Sequence, residues 1–552
     1  MTGIFFFGSL ILAFCYFAIN KFIRNALKQY WKIIALLILA NIALKIPYKS
    51  TFFDGLEYED SYIYKASARA FHEGEYQFSA INPYYPTSCV YGSLKDCRMS
   101  GIFVTNFLGY PYIINLGYRL FGYQKDIANI VSLLFSGVSI AFLFTAALLI
   151  IDRLLFALIC CFVYITIPIF NVYASTSLTE PLSNACLIFV LLLYLAFINY
   201  SFEGKGLPLK DIFGLSAIAF SVIFSILVKT TNISLVFCLP IVGLIFLMTD
   251  KKIKDRNQRN RFLISLPVIC FVFLFSALVL KFQTGIEINR ADIGLSPFSL
   301  SYFKALAPVF AASFLDLRWY LVYTLFFLAG IFFGLKKRIG ILPIVVFSFY
   351  FVLYTLHYRS YYFIRGLPAA KDEALRYMTS IISIYSLIVG LGVYYLWRSI
   401  RKAEANRPAR LFGKSLIASL IAMLLGLSTF FTLKYRAYFV EDEQNVRIAP
   451  VIKALEYLGG QDDILITSEH VLFQIYGNVD LRLIDFCSID ILIPKEEIDS
   501  LIRSASVYYL DTIARDSLDE ERYRPQLQYL DSKRKEHVYA GQNYSIYRLL
   551  PE

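Results

Sequence analysis

Along the chain, apolar runs of about 17 to 25 residues alternate with short polar connectors, and that is the length a helix needs to cross ~30 Å of hydrocarbon. Twelve runs predict transmembrane helices, over 3–19, 31–47, 126–150, 154–170, 180–200, 211–228, 231–249, 262–281, 319–335, 339–356, 376–397 and 415–433. The first has neither a charged leader nor a small-residue cleavage site, so it reads as a span and not as a signal peptide. Two stretches depart from the pattern. A polar, aromatic-rich loop fills 48–125, and the tail from 434 to 552 reads as a small α/β domain. In that tail VIKALEYL and PKEEIDSLIRSA have helical spacing, DILIT, DLRLID and VYYLD read as strands, and HVYA and YSIYRLL as a closing strand pair. The predicted fold is a polytopic α-helical membrane protein of 11–12 transmembrane helices over 1–433, with an α/β domain over 434–552.

Composition removes the main alternative to a membrane protein. Of 552 residues, 58% are apolar and only 17% charged, against roughly 25% charged in a soluble domain. The net charge of +12 is unevenly spread: the tail carries 14 Lys and Arg against 21 Asp and Glu, net −7, and the remainder 39 against 20, net +19. If the first connector is cytoplasmic, the inner connectors 20–32, 151–153, 201–210, 250–261, 336–338 and 398–414 hold 22 of those 39 basic residues. The positive-inside rule then orients the chain in the plasma (inner) membrane, with loop 48–125 and the tail on the extracytoplasmic side. Topology accounts for the basic excess, and no nucleic-acid partner is implied.

The orientation places Cys89 and Cys97, eight positions apart in the outward loop, where oxidation is permitted, and they predict a local disulfide. Cys15, Cys160, Cys161, Cys186, Cys238 and Cys270 fall in apolar runs as small core residues. The four histidines show no metal-ligand spacing. After the second span, Ile63, Ala66, Ser67, Ala70 and Phe71 form the stripe of a short amphipathic helix, with Lys65 and Arg69 opposite. Glu59 and Asp60 open that helix, where the dipole favours an ionised carboxylate. Such a pair is a helix cap or a general base, and spacing alone favours the cap.

The run GLEYEDSYIYKASARAFHEGEYQFS resembles the first-loop signature of the GT-C superfamily of membrane glycosyltransferases: an acidic pair, a Tyr, a helix with small residues and a Gly-containing turn. NFLGYPYIINLGYRLFGYQKDIANIVSLL is similar to the superfamily's aromatic surface helix, STSLTEPLSNACLIFVLLLYL to the outer end of a later span bearing a Glu, and AKDEALRYMTSIISIYSLIVG to a loop-to-span element with an Arg-Tyr pair. The likeness covers nearly the whole chain, which resembles the dolichyl-phosphate-mannose-protein mannosyltransferase and aminoarabinose transferase-like group. The acids here run Glu59-Asp60, where many members have Asp-Glu or Asp-Asp, and the prolines many relatives carry after the Arg-Tyr pair are missing.

The resemblance implies a GT-C-like fold and transfer of a sugar from a polyprenyl-phosphate-sugar donor lipid to an extracytoplasmic glycan, lipid or protein acceptor, with inversion. A sugar phosphate leaves as an anion, so one base for the acceptor hydroxyl and cations for the phosphate suffice. Asp60 is the first choice as base, with Glu59 its orienting partner or alternative. Arg376 with Tyr377, and Lys229 in VKTTN, are candidate phosphate ligands, with Arg365 and His357 secondary. For Lys229 and Arg376 the competing reading is a residue snorkelling to headgroups. Glu180, at the head of a span, is a substrate-site candidate or a helix-start residue. Tyr84, Tyr85, Tyr91, Tyr110 and Tyr112 are available to stack on sugars. No two Asp residues are separated by one position, and no Gly-rich phosphate loop occurs, which disfavours a nucleotide-sugar enzyme. Glu59, Asp60 and Glu180 are the carboxylates that would hold a divalent metal; the reading is a site that needs no cofactor. The rival readings are a polysaccharide polymerase or ligase, whose large outward loop sits late in the chain, and a transporter or sensor. A transporter would place its ionisable residues in mid-span.

Single cysteines introduced at Asp255 and Pro450 report the orientation. A membrane-impermeant thiol reagent applied from outside is expected to modify position 450 and not 255, and the opposite result inverts the topology.

Overall fold

In the computed structural model of the chain, the residues described are 2–45, 59–72, 109–124, 126–174, 176–199, 209–249, 263–272, 274–275, 299–320, 322–336, 341–356, 376–403, 419–420, 422–434, 449–458, 463–467, 482–485, 495–512, 518–541 and 544–551. The helical part runs α1 (Thr2–Ile19), α2 (Lys21–Lys45), α3 (Glu59–His72), α4 (Gly109–Phe121), α5 (Ile127–Ile150), α6 (Leu154–Thr166), α7 (Pro168–Tyr173), α8 (Thr179–Asn199), α9 (Leu209–Val228) and α10 (Ser234–Thr249). It continues with α11 (Leu263–Val272), α12 (Leu300–Phe314), α13 (Leu317–Tyr320), α14 (Tyr323–Lys336), α15 (Ile341–Leu356), α16 (Ile382–Ala403) and α17 (Ala422–Lys434). Among the described residues, five helices are long and apolar enough to cross a membrane: Phe22–Lys45, Ile127–Ile150, Thr179–Phe197, Asp211–Val228 and Arg376–Ser399. Each of the twelve expected spans overlaps one of these or a shorter apolar helix.

α8 is the axis of the bundle. Its Thr179–Phe197 stretch is buried but for the half-buried Phe189, and α5, α9 and α10 pack around it. That explains why its sequence is apolar on every side, where a helix facing lipid on one side only needs a stripe. α14 and α16 approach more closely. A Cβ added at Gly330 would lie 1.9 Å from the Ile388 carbonyl oxygen, and one at Gly392 would lie 2.0 Å from that of Phe326. The two glycines let the backbones touch, as small residues do at membrane helix interfaces. Gly390, on another side of α16, leaves room for Cys160 of α6.

Several elements differ from the sequence reading, each for a local reason. The second span starts at Lys21 and not at 31, so Lys21, Arg24, Lys28 and Lys32 stand on a helix that extends past the apolar run; long basic side chains are good helix formers. The expected 154–170 span breaks at Ile167, where extended backbone precedes Pro168 at the start of α7. α12 was not expected, because Lys304 and Pro308 interrupt its apolar run. It is nonetheless capped by the Ser299 hydroxyl, which accepts from the Ser301 N–H at 3.2 Å, and buries Tyr302, Leu306, Phe310, Ser313 and Phe314. In α3 the buried face holds Ser61, Tyr64, Lys65 and Ala68, so Lys65 lies inward and not on a polar outer side. The cause is α4, whose Tyr110 meets Tyr64 edge-on at 5.4 Å while Tyr118 meets His72 at 5.9 Å. Of the cysteines expected as core, Cys270 is exposed.

Among its described residues the tail forms a five-stranded sheet of order β2-β1-β3-β5-β4, from β1 (Ile464–Thr467), β2 (Arg482–Asp485), β3 (Val507–Asp511), β4 (Lys535–Ala540) and β5 (Ser545–Leu549). β1 pairs parallel with β2 and β3, and β5 pairs antiparallel with β3 and β4. Its helices are α18 (Ala449–Tyr457), α19 (Lys495–Ser504) and α20 (Leu518–Ser532). Every expected tail element is present, and α20 is additional: rich in charge and interrupted by Pro525, it has a weak helical pattern. Ile498 and Ile502 of α19 and Leu527 and Leu530 of α20 cover one face of the sheet. Asp499 ties the two helices, accepting from the Tyr529 hydroxyl at 2.6 Å and from Lys533 at 2.8 Å. Partial burial pushes its carboxyl up, but Lys533 and Tyr529 outweigh that and hold it below the usual carboxylate range.

The α14–α16 contact is directly testable. Gly330→Ala and Gly392→Ala each force the backbones apart and are expected to cost ~1–3 kcal/mol, read as a lower unfolding temperature of the purified protein. Gly426→Ala, where an added Cβ meets nothing within 4 Å, should leave that temperature unchanged.

Candidate functional site

Three ionisable residues from separate parts of the sequence meet at one end of the bundle. Glu180 is the second residue of α8, and Lys229 occupies the turn between α9 and the short 3-10 helix Thr230–Ile233. Arg376 opens the stretch that runs through the 3-10 helix Thr379–Ile381 into α16. All three are buried, with 1, 6 and 5% exposure for Glu180, Lys229 and Arg376. The Lys229 ammonium donates to Glu180 Oε1 at 2.9 Å and to the Ser380 hydroxyl at 2.8 Å. Arg376 Nε lies 3.6 Å from the same Glu180 oxygen. Two cations therefore converge on one carboxylate oxygen, and the three side chains sum to a charge of +1.

Aromatic rings wall this cluster. Lys229 Nζ is 5.8 Å from the centre of the Tyr377 ring and 6.0 Å from that of Tyr354. Those two rings pack 5.6 Å apart, and the Tyr354 hydroxyl is 3.2 Å from that of Thr231. The electron-rich ring faces favour the cations, and the rings also limit water, which strengthens every charge interaction inside. An anion of a bound molecule would meet two positive groups and a shared carboxylate that keeps them from repelling each other.

The sequence-derived candidates divide as follows. Glu180, Lys229, Arg376 and Tyr377 are brought together, so for Lys229 and Arg376 snorkelling to headgroups does not describe their surroundings. Glu59 and Asp60 open α3 as expected; their side chains, and Arg365, His357, Cys89, Cys97, Tyr84, Tyr85 and Tyr91, lie outside the described residues. The acid-bearing helix is nevertheless tied to the cation site. α3 packs on α4 through Tyr64 and Tyr110, and α4 begins at Gly109, which leaves no room for a side chain against the backbone of Leu227 and Val228, immediately before Lys229. Tyr110 is itself buried and bonds the Ser132 hydroxyl at 2.6 Å, so it serves packing and not an open sugar-stacking surface.

Two residues were missed from sequence. Lys45, the last residue of α2, is completely buried; it donates to Asn41 Oδ1 and lies 5.0 Å from the centre of the Phe170 ring and 5.5 Å from that of Tyr164. A lysine ending an apolar run ordinarily reads as an interfacial anchor, and only the position of α7 shows that it points inward. Ser380 carries no motif. Among the described residues no three His, Cys, Asp or Glu side chains form a cluster able to hold a metal ion.

The helical bundle with its C-terminal mixed sheet has a fold shared with solved membrane proteins. Among solved structures it matches ArnT from Cupriavidus metallidurans bound to undecaprenyl phosphate, with 12% identity over 94% of this chain and 98% of that one and a TM-score of 0.57. It also matches the oligosaccharyltransferase of Archaeoglobus fulgidus in its apo form, with 11% identity over 94% of this chain and 74% of that one and a TM-score of 0.52. The same enzyme, AglB, in complex with an inhibitory peptide and a dolichol-phosphate matches at 12% identity over the same shares and a TM-score of 0.50. At these identities the likeness is one of fold. No protein-family model and no curated protein sequence matches the chain.

Removing the shared carboxylate should be costly. Glu180→Ala leaves two cations buried around the missing partner and is expected to lower stability by ~3–5 kcal/mol, measured as the thermal transition of the purified protein. An unchanged transition would mean that Lys229 and Arg376 do not depend on Glu180.

Proposed function

We propose that this protein is a membrane glycosyltransferase that moves a sugar from a polyprenyl-phosphate-linked donor to an acceptor on the extracytoplasmic side, with inversion at the anomeric carbon. The single observation that carries the reading is the pair of buried cations, Lys229 and Arg376, meeting on Glu180 at the end of a bundle whose fold is shared with a protein bound to undecaprenyl phosphate. A sugar phosphodiester carries one negative charge, equal and opposite to the sum of these three side chains. As the sugar–oxygen bond breaks, the leaving phosphate gains a second charge, so the cations bind the transition state more strongly than the ground state. No acid has to protonate this leaving group. The protein must otherwise supply only a base that takes the proton of the acceptor hydroxyl as it attacks.

That base is Asp60, with Glu59 orienting it or replacing it. Both open α3, which reaches the Lys229 turn through α4. The donor lipid's chain runs along the apolar exterior of the bundle, and the acceptor is a glycolipid, a polysaccharide or a protein. The reaction is proposed to run without a metal or other cofactor. The helical region 1–433 holds the site, and the sheet domain 434–552 lies on the same side of the membrane.

Conservative variants separate chemistry from capping. Asp60→Asn keeps the side chain's size and capping ability, and is expected to leave expression and donor binding near normal while slowing transfer ~100-fold or more. Glu59→Gln is its companion: if Glu59→Gln is inactive and Asp60→Asn is not, the two acids exchange roles. Arg376→Ala should instead weaken donor use by ~2–4 kcal/mol. Transfer at the parent rate by both acid variants removes the base from the proposal, and unchanged donor use by Arg376→Ala removes its phosphate ligand.

A further inference from the structure

The cations of the site stand on different segments, and like charges brought together in a poorly hydrated site repel. Each segment is fastened to α8 one turn below Glu180, at two adjacent residues. Ser183 and Asn184 are both completely buried, and they look toward different neighbours. Asn232, three residues after Lys229, donates from Nδ2 to Ser183 Oγ at 3.0 Å and to the Ser225 carbonyl at 2.9 Å. Its Oδ1 accepts from the Tyr350 hydroxyl at 2.7 Å and from Ser183 Oγ at 3.2 Å. The Ser225 carbonyl also accepts from the Lys229 N–H at 3.0 Å, and the Asn232 N–H donates to the Lys229 carbonyl at 2.9 Å. Asn232 thus closes the turn that presents Lys229 and binds that turn to α8.

Asn184 performs the matching task for the Arg376 segment. Its Oδ1 accepts from the Ser383 N–H at 3.0 Å and the Ser383 hydroxyl at 2.8 Å, and its Nδ2 donates to Ser139 Oγ and the Tyr164 hydroxyl, both at 3.3 Å. Ser383 stands three residues beyond Ser380 and seven beyond Arg376. Each amide makes all four hydrogen bonds open to it, and in each the orientation is dictated by a backbone group: the Ser383 N–H requires the oxygen of Asn184, and the Ser225 carbonyl requires the nitrogen of Asn232. Interhelical hydrogen bonds in membrane proteins contribute little stability apiece. Two fully satisfied amides, one for each cation-bearing segment and both tying that segment to α8 just below Glu180, form a pattern that general stability does not call for.

We propose that Asn184 and Asn232 are positioning residues of the cation site, Asn232 holding Lys229 through its bonds to Ser183 of α8, and Asn184, itself on α8, holding the Arg376 segment through its bonds to Ser383. This rests on the reading of the site as the binder of a polyprenyl phosphate. It makes the site rigid before the ligand arrives, so that little is lost in ordering it.

The test is a set of double-mutant cycles on the full chain in lipid nanodiscs, with undecaprenyl phosphate as the probe and its dissociation constant read by titration. Asn232→Leu is expected to weaken binding about tenfold in the parent chain and in an Arg376→Ala background, and to have no further effect in a Lys229→Met background. Asn184→Leu should show the mirror pattern, silent with Arg376→Ala and fully felt with Lys229→Met. A merely structural role would weaken binding equally in both backgrounds, and that result, or no effect at all, overturns the proposal. Should the leucine variants fail to fold, Ser183→Ala and Ser383→Ala remove one hydroxyl from each set and must show the same split at smaller amplitude. Failure of the parent chain to bind undecaprenyl phosphate overturns the donor reading together with the positioning; binding by the parent with no split overturns the positioning alone.

Discussion

Burying a lysine, an arginine and a glutamate at one point away from water is costly unless each charge is met by another and the remaining hydrogen-bonding groups find partners. Here Glu180 Oε1 meets both cations, the Ser380 hydroxyl accepts a further hydrogen bond from Lys229, and tyrosine rings cover the rest. Much of the helical arrangement can be understood as what that arrangement demands. The carboxylate must come from a helix with no lipid-facing side, which is why it heads α8. The cations must come from the ends of neighbouring helices, since a helix end is where backbone and side chain can turn toward a common point.

The same constraint reaches outward through the packing. α16 delivers Arg376 and Ser380 from one side of α8, and its place is set by the glycine contacts with α14 and by Gly390 against α6. The α9–α10 turn delivers Lys229 from the other side, held by Asn232 and by Tyr350 and Tyr354 of α15. α4, wedged between α3 and the end of α9, connects the acidic pair's helix to the cation site. Displacing any one of these contacts by an ångström alters a distance between the buried charges.

Much of the fold was legible in the amino-acid order because lipid imposes a simple code: long apolar runs must be helices. All twelve runs overlap apolar helices, and the tail's strands fall where period-two patterns placed them. The failures are equally physical. α12 and α20 carry prolines and charges that weaken the periodic signal, and tertiary contacts stabilise them regardless. Lys65 was placed on the polar side of α3 by its charge, yet it is buried on the helix that packs on α4 through Tyr64 and Tyr110, a contact between segments some fifty residues apart in sequence.

Chain order alone determined the membrane class, the place of the long apolar helices, the tail's mixed α/β character and the charged residue types from which the buried cluster is drawn. Hydropathy and charge bias are local properties, readable without knowing neighbours. Which of those charges meet was decided only by the tertiary structure. Glu180, Lys229 and Arg376 are separated by 49 and 147 positions, and no sequence period links them. Ser380, Asn184 and Asn232 carry no local sign of a role either. They become a site because helix packing brings their ends together, and a buried charge or amide shows its purpose only through the partner that satisfies it.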